Sequence, residues 1–161
     1  MQTGQIVLVR TNPATQFTTA LAQNAKDTED MVIGSAVGQV DAGVAAGLGV
    51  KSRLKHLTVV SVQNLAWEVW LWRTDAYDVS LTNPALVFPA GRWAFLTTDA
   101  VRIGAAGLYY YYIEGTDQFY EDHDNTGEVH LMLVNRSATA KGVAGAGLIA
   151  IELGLEPCLG W

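Results

Sequence analysis

The stretch Leu108 to Val134, LYYYYIEGTDQFYEDHDNTGEVHLMLV, constrains the fold of this chain more than any other. Tyr109 to Tyr112 are consecutive, and successive side chains of a pleated strand point to opposite faces, so each face of the sheet receives rings with polar tips. Such a strand is expected to be covered on both sides. Glu114, Asp117, Glu121, Asp122, Asp124 and Glu128 follow with no Lys or Arg among them, and Asn125-Thr126-Gly127 has the composition of a turn. The stretch reads as a strand, an acidic loop and a second strand.

The same pattern recurs on either side. His56 to Val62 alternates with β-branched residues that suit a pleated surface, and Gln63-Asn64 can turn. Leu65 to Arg73 then places Trp67, Val69 and Leu71 on one face and Glu68, Trp70 and Trp72 on the other. Asp75 to Pro84 is loop-like, and Pro89-Ala90-Gly91 marks a turn before the strand Arg92 to Thr97. After Glu128 to Val134, a Ser/Thr/Ala/Gly connection from Asn135 to Gly147 leads to a last strand, Leu148 to Glu156. Many short strands joined by turns, without intervening helices, predict an all-β fold: an antiparallel β-sandwich or jelly roll over residues 56–161.

The first 55 residues differ in composition. Phe17 is the only Phe, Tyr or Trp before Trp67, and Gly, Ala, Thr and Val dominate. Ile6, Val7, Leu8 and Val9 read as a strand that Pro13 ends, and Phe17, Leu21 and Ala25 have the spacing of a short helix within Phe17 to Met31. Five glycines between Val32 and Val50 exclude a stable helix interior at about 1 kcal/mol each relative to alanine. Residues 1–55 are therefore expected to form an extended N-terminal arm. Ordering such a segment costs conformational entropy, which contacts with partner subunits would offset. Ile6, Val7, Leu8, Val9 and Phe17, with the basic knot Lys51, Arg53 and Lys55, are the expected partner contacts.

Charge narrows the function. Only 16% of the 161 residues are charged, against about 25% in ordinary soluble domains, so part of the surface is expected to lie against other subunits. A net charge of −6 argues against nucleic-acid binding, which calls for a basic face that displaces counterions from phosphates. The apolar stretches Ala42 to Val50 and Gly142 to Ile151 fall far short of the roughly 20 residues of a membrane-spanning helix. Met1 to Gln5 lacks a signal-peptide pattern, so the chain is expected to stay in the compartment that makes it. Cys158 is the only cysteine and cannot form an internal disulfide.

The candidate chemistry is sparse. Asp122, Asp124 and Gly127 match positions 1, 3 and 6 of a calcium loop, but position 12 is Leu133, so the closing bidentate carboxylate is missing. The loop reads as a solvated hairpin end, with Asp122, Asp124 and Glu121 as a weak alternative site for a hard cation. Glu114, Asp117 and Glu121 are a nominal carboxylate set for glycoside hydrolysis, with nothing in the sequence to fix their separation. His123 and His130 lack a zinc spacing, and Gly142 to Gly147 lacks the lysine of a phosphate-binding loop. Trp70, Trp72 and Tyr110 are either core and subunit-contact residues or a stacking platform for sugar rings. No cofactor and no catalytic constellation are expected.

The segments LTVVSVQNLAWEVWLWRTD, RWAFLTTDAVRIGAAGLYYYYIEG and EVHLMLVNRSATAKGVAGAGLIAIELGLEP, spanning about residues 57–157, resemble the jelly-roll capsid cement or decoration proteins of tailed bacteriophages. The resemblance implies a β-sandwich bound to the outside of an assembled shell as a homo-oligomer. Its implied partners are the major capsid protein and neighbouring copies of itself, and its implied location is the virion after synthesis in the host cytoplasm. It carries over no catalytic residue. A carbohydrate- or receptor-binding module of a phage tail or fibre is the alternative.

Overall fold

The computed structural model describes residues 6–32, 51–74, 89–105, 107–121, 123 and 128–158. Nine strands are described: β1 (Val7–Arg10), β2 (Lys26–Val32), β3 (Lys51–Ser61), β4 (Trp67–Trp72), β5 (Gly91–Phe95), β6 (Val101–Ile103), β7 (Leu108–Glu121), β8 (Glu128–Asn135) and β9 (Ile149–Pro157). Among the described residues one 3-10 turn, Thr97–Asp99, precedes β6. The strands form a five-stranded sheet, β1-β9-β3-β7-β6, and a four-stranded sheet, β2-β8-β4-β5.

Every pairing is antiparallel, and the pairings are nested. β4 pairs with β5, β3 with β7, β2 with β8 and β1 with β9, each pair in the sheet opposite to the pair inside it. The chain is thus a long hairpin folded back at β4 and β5 and rolled up, with the contacts β9–β3 and β8–β4 closing the two sheets. That is a jelly roll, the architecture expected from the strand pattern.

The core lies between the sheets. From β4, Trp67, Val69 and Leu71 point inward, as their alternation predicts, and meet Leu57 and Val59 of β3 and Ile151 of β9. Trp70 and Trp72 leave on the other side of β4 and cluster with Met132 and Val134 of β8. Asn135, fully buried at the end of β8, donates from Nδ2 to the carbonyls of Leu21 and Thr139, both at 2.9 Å. It ties the segment after β1 to the last connection.

Two expectations are corrected here. The tyrosine strand does not give way to an acidic loop at Glu114. β7 runs through Glu121, because its carboxylates meet the basic knot across the ladder: Lys51 lies opposite Glu121 with Nζ 3.5 Å from Oε1, and Lys55 binds Asp117 and reaches Glu156 at 3.4 Å. Gly115 and Asp117, with φ of 68° and 45°, bulge where the β3 register shifts between Leu54 and His56. The shift lets Leu54 and Leu57, three residues apart, both face the core.

The second correction concerns residues 1–55. Their described parts, 6–32 and 51–55, are not a free arm but strands and core of the same unit. β1 and β2 pair with the last two strands, while Val9, Phe17 and Leu21 are almost completely buried. Phe17 to Met31 is not helical. Phe17 has φ 52°, Leu21 bridges to Lys141, and β2 begins at Lys26. The cross-strand hydrogen bonds to β8 outweigh a weak helical spacing that two threonines already disfavour. Residues 33–50, with their glycines, and the loop-like 75–84 lie outside the described residues.

Candidate functional site

The five-stranded sheet has one face on the core and one facing away, and the second is the candidate interaction surface. Inward positions on β3, β7 and β9 include Leu57, Tyr111 and Leu153. Their neighbours in sequence point out, and the register arranges them in rows across the sheet. Ile103 of β6 lies opposite Leu108 of β7, and Val62, just past β3, donates its amide to the Leu148 carbonyl at 3.1 Å. Next come Val101, Tyr110, Val60 and Ala150 in a line. Tyr112, Thr58, Glu152 and Arg10 make a third row, and Glu114, His56, Gly154 and Leu8 a fourth. The first two rows are apolar apart from one phenol, while the last two carry the charge.

Short side chains on β3 and β9 leave a trough between the tyrosines of β7 and the end of β1. One cavity of about 270 Å³ is bounded by Arg10, Thr58, Tyr110 and Glu152, with Val60 and Ala150 at its floor. A second of about 180 Å³ continues past Val60 and Ala150 to Pro13, Leu108 and Leu148. On the other side of the trough the surface is exposed and apolar: Val101 is 62% exposed, Ile103 46%, Tyr112 44% and Leu108 38%. The rings of Tyr110 and Tyr112 stack at 6.0 Å and 19°.

The polar rows are internally paired. Glu152 accepts from Arg10 Nε and lies 3.1 Å from His56 Nε2, and the His56 ring lies 5.9 Å from that of Tyr112. His56 lies directly over Gly154, where a Cβ would come within 2.2 Å of the imidazole; the absent side chain makes room for the ring. The Tyr112 hydroxyl donates to Glu114 at 3.1 Å, a bond to a carboxylate that holds the phenol above its ordinary pKa.

The outside of the four-stranded sheet is built differently. Trp70 and Trp72 stack at 5.9 Å and 15° but are only 7% and 4% exposed, so they form no platform for a sugar ring, and Tyr110 lies on the other sheet. Beside them Glu68, 5% exposed, accepts from Trp70 Nε1 at 3.1 Å, from Arg136 at 2.7 Å and from Arg92, whose guanidinium also lies 5.3 Å over the Trp70 ring. Burial alone would raise this carboxyl. The guanidinium and indole donors outweigh it and hold the pKa at about 2.

The remaining sequence candidates are dispersed. Glu114, Asp117 and Glu121 are engaged by Tyr112, Lys55 and Lys51 respectively, along one strand, and do not converge as a carboxylate pair. Asp122 and Asp124 of the proposed cation loop lie outside the described residues; Glu121 also approaches His123 at 3.9 Å. Among the described residues no group of three His, Cys, Asp or Glu could hold a metal ion. His130 is fully buried on β8 opposite Trp72. Cys158 is half-buried, its amide donating to the Lys51 carbonyl at 2.8 Å. Of the expected partner contacts, Val9 and Phe17 are consumed by the core, whereas Ile6 and Arg53 are exposed and Leu8 is half-buried on the outer face. The outer-face rows were missed at the sequence level. The alternation of Leu108, Tyr110 and Tyr112 marks one of them, but its neighbours come from strands whose pairing no local pattern announces.

No protein-family model matches the sequence, and no curated protein matches it. Among solved structures, the chain is similar to one of tomato aspermy virus at 8% identity, covering 94% of this chain and 77% of that one with a TM-score of 0.41. It is also similar to one of Cocksfoot mottle virus at 10% identity, covering 96% and 93% with a TM-score of 0.38. Likenesses at this level carry no function across.

Proposed function

We propose that this chain is a structural protein of a virus particle, a cement or decoration protein that stabilises a capsid through contacts between subunits and without catalysis. The observation that carries the reading is the outer face of the five-stranded sheet. Exposed Val101, Ile103 and Leu108 adjoin a trough floored by Val60 and Ala150, a run of exposed apolar side chains of the sort that contact surfaces present. The low share of charged residues points the same way, and the sequence resemblance to phage cement proteins supplies the kind of particle. Its partners in this reading are copies of itself and the major capsid protein, and its place is the virion, after synthesis in the host cytoplasm. Leu8, Ile6 and Arg53 remain candidate contacts.

The test is quantitative mass spectrometry of purified particles, followed by heating of particles with and without the chain. The reading expects copies in a fixed ratio to the shell protein and earlier rupture of particles that lack them. Particles devoid of the chain would refute it. A second reading, a sugar-binding module, has one observation in its favour. The cavity of about 270 Å³ beside Tyr110 falls just below the range for small-molecule sites, about 300–1,000 Å³, and offers Arg10, Thr58 and Glu152 as polar partners. Saturable binding of a monosaccharide by the isolated chain, abolished by Tyr110→Ala, would favour it.

A further inference from the structure

A strand with tyrosines on both faces is expected to be covered on both sides, yet on the outer face Tyr112 stands 44% exposed, while Tyr111 lies in the core with Tyr109 packed against it. We propose that the missing cover is the same face of a second copy, packed sheet on sheet about a two-fold axis that runs along the strands between β7 and β3. The proposal rests on the structural reading above and names the surface and the partner through which it works.

The shape of the face selects this arrangement. β6 and β7 present exposed Val101, Ile103, Leu108 and Tyr112, the ridge of this face, and β3 and β9 the trough over Val60 and Ala150, on the two halves of one sheet. A two-fold axis between the halves turns the ridge of each copy onto the trough of the other, which makes the surface complementary to itself. β7 then lies over β3 of the other copy and β6 over β9. Tyr110 falls on Val60 and Val101 on Ala150, while Leu108 meets Val62 and Ile103 meets Leu148. Sheets packed in this way lie about 10 Å apart with their strands within about 30° of each other.

Polarity selects the direction of the axis. An axis along the strands keeps each row opposite its own counterpart, so apolar rows meet apolar rows and polar rows meet polar ones. An axis across the strands would set Ile103 and Leu148 against the Glu114 and His56 row and strip water from those groups without giving them partners. In the proposed arrangement Glu114 faces His56 of the other copy, whose ring is already held by Glu152, so the polar rows meet each other and not the apolar ones. Because β6 spans only Val101–Ile103, it covers the apolar rows and leaves Arg10 and Glu152 toward the rim.

The experiment uses the full chain in solution. Light scattering across a concentration series is expected to approach twice the chain mass of 17.3 kDa. Ala150→Arg, which fills the trough floor, should raise the dimer dissociation constant at least about tenfold, while at dilutions where both chains are monomeric its melting temperature should match the wild type's. Val143→Arg, at a 58% exposed position on the last connection, should leave that constant unchanged. With Cys158→Ser as background, a mixture of Val101→Cys and Ala150→Cys chains should be joined by a short bis-maleimide, and neither variant alone should be. Within one chain β7 and β3 separate these positions. A multimer whose mass Ala150→Arg does not change, or a mixture that does not cross-link, overturns the pairing while leaving the structural role standing. A chain that is monomeric at every concentration overturns the pairing as well, and its presence in or absence from purified particles then decides the structural role separately.

Discussion

Replacing Glu68 by Gln tests how the outside of the four-stranded sheet is held. The substitution keeps the shape and removes the charge. In the folded chain the carboxyl titrates at about 2 against an ordinary value of 4.5, because Arg136, Arg92 and the Trp70 indole together overcome its burial. A difference of roughly 2.5 units at 1.36 kcal/mol each is roughly 3 kcal/mol. Glu68 is only 6% exposed at its side chain, so solvent screens little of this at the carboxylate. The guanidiniums are 52% and 34% exposed and can regain water once the charge is gone, which places the expected loss at about 2–3 kcal/mol rather than the 3–5 of a fully buried pair. Because the folded pKa is depressed, this stability is fully present above about pH 4.5 and is lost as the pH falls toward 2. Urea unfolding of the wild type and Glu68→Gln at pH 7 and at pH 2 should show a gap at the first that closes at the second. A gap below about 0.5 kcal/mol at pH 7, or one of equal size at both pH values, would refute the reasoning.

Other perturbations probe other parts of the structure. Tyr111→Phe removes a hydroxyl that lies 2.8 Å from both Asn64 Oδ1 and the Leu65 carbonyl and accepts from the Leu65 amide at 3.1 Å. It should cost about 1–3 kcal/mol in urea unfolding, since buried partners are left unpaired. Gly154→Ala would put a methyl into the His56 ring and should cost about 1–3 kcal/mol, with recovery in the His56→Ala background, where the crowding is gone. Adding calcium at millimolar concentration should leave the melting temperature unchanged, because Glu121 is already engaged by Lys51 and His123; a rise would identify the Asp122 to Asp124 loop as a cation site.

What the sequence disclosed depended on where each strand lies. The alternation of Trp67, Val69 and Leu71 against Glu68, Trp70 and Trp72 was legible because β4 is central and both of its faces are buried. The all-β sandwich followed from many such local signals. β2 was illegible: it is an edge strand, and Lys26, Asp27 and Glu29 along it break the apolar alternation that marks a half-buried strand. The acidic run and the basic knot were both visible, yet their neutralisation depends on Lys51 lying opposite Glu121, a register set by distant pairing. The arm was misjudged for the same reason. Small residues with few aromatics suggested a segment in need of partners, and the partners of Val7 and Arg10 are Leu155 and Glu152 of the same chain. The outer face is an emergent feature of strands whose local patterns were legible in β3, β7 and β9 but whose order in the sheet was not.

Tyrosine-selective labelling of the isolated chain at high dilution and of the purified particle weighs most directly whether this protein works through that face. Tyr110 and Tyr112 should react in the dilute chain and be shielded in the particle, while Tyr111 stays unreactive in both. Equal labelling of Tyr112 in the two states would mean that the open side of the five-stranded sheet remains open, contrary to the account.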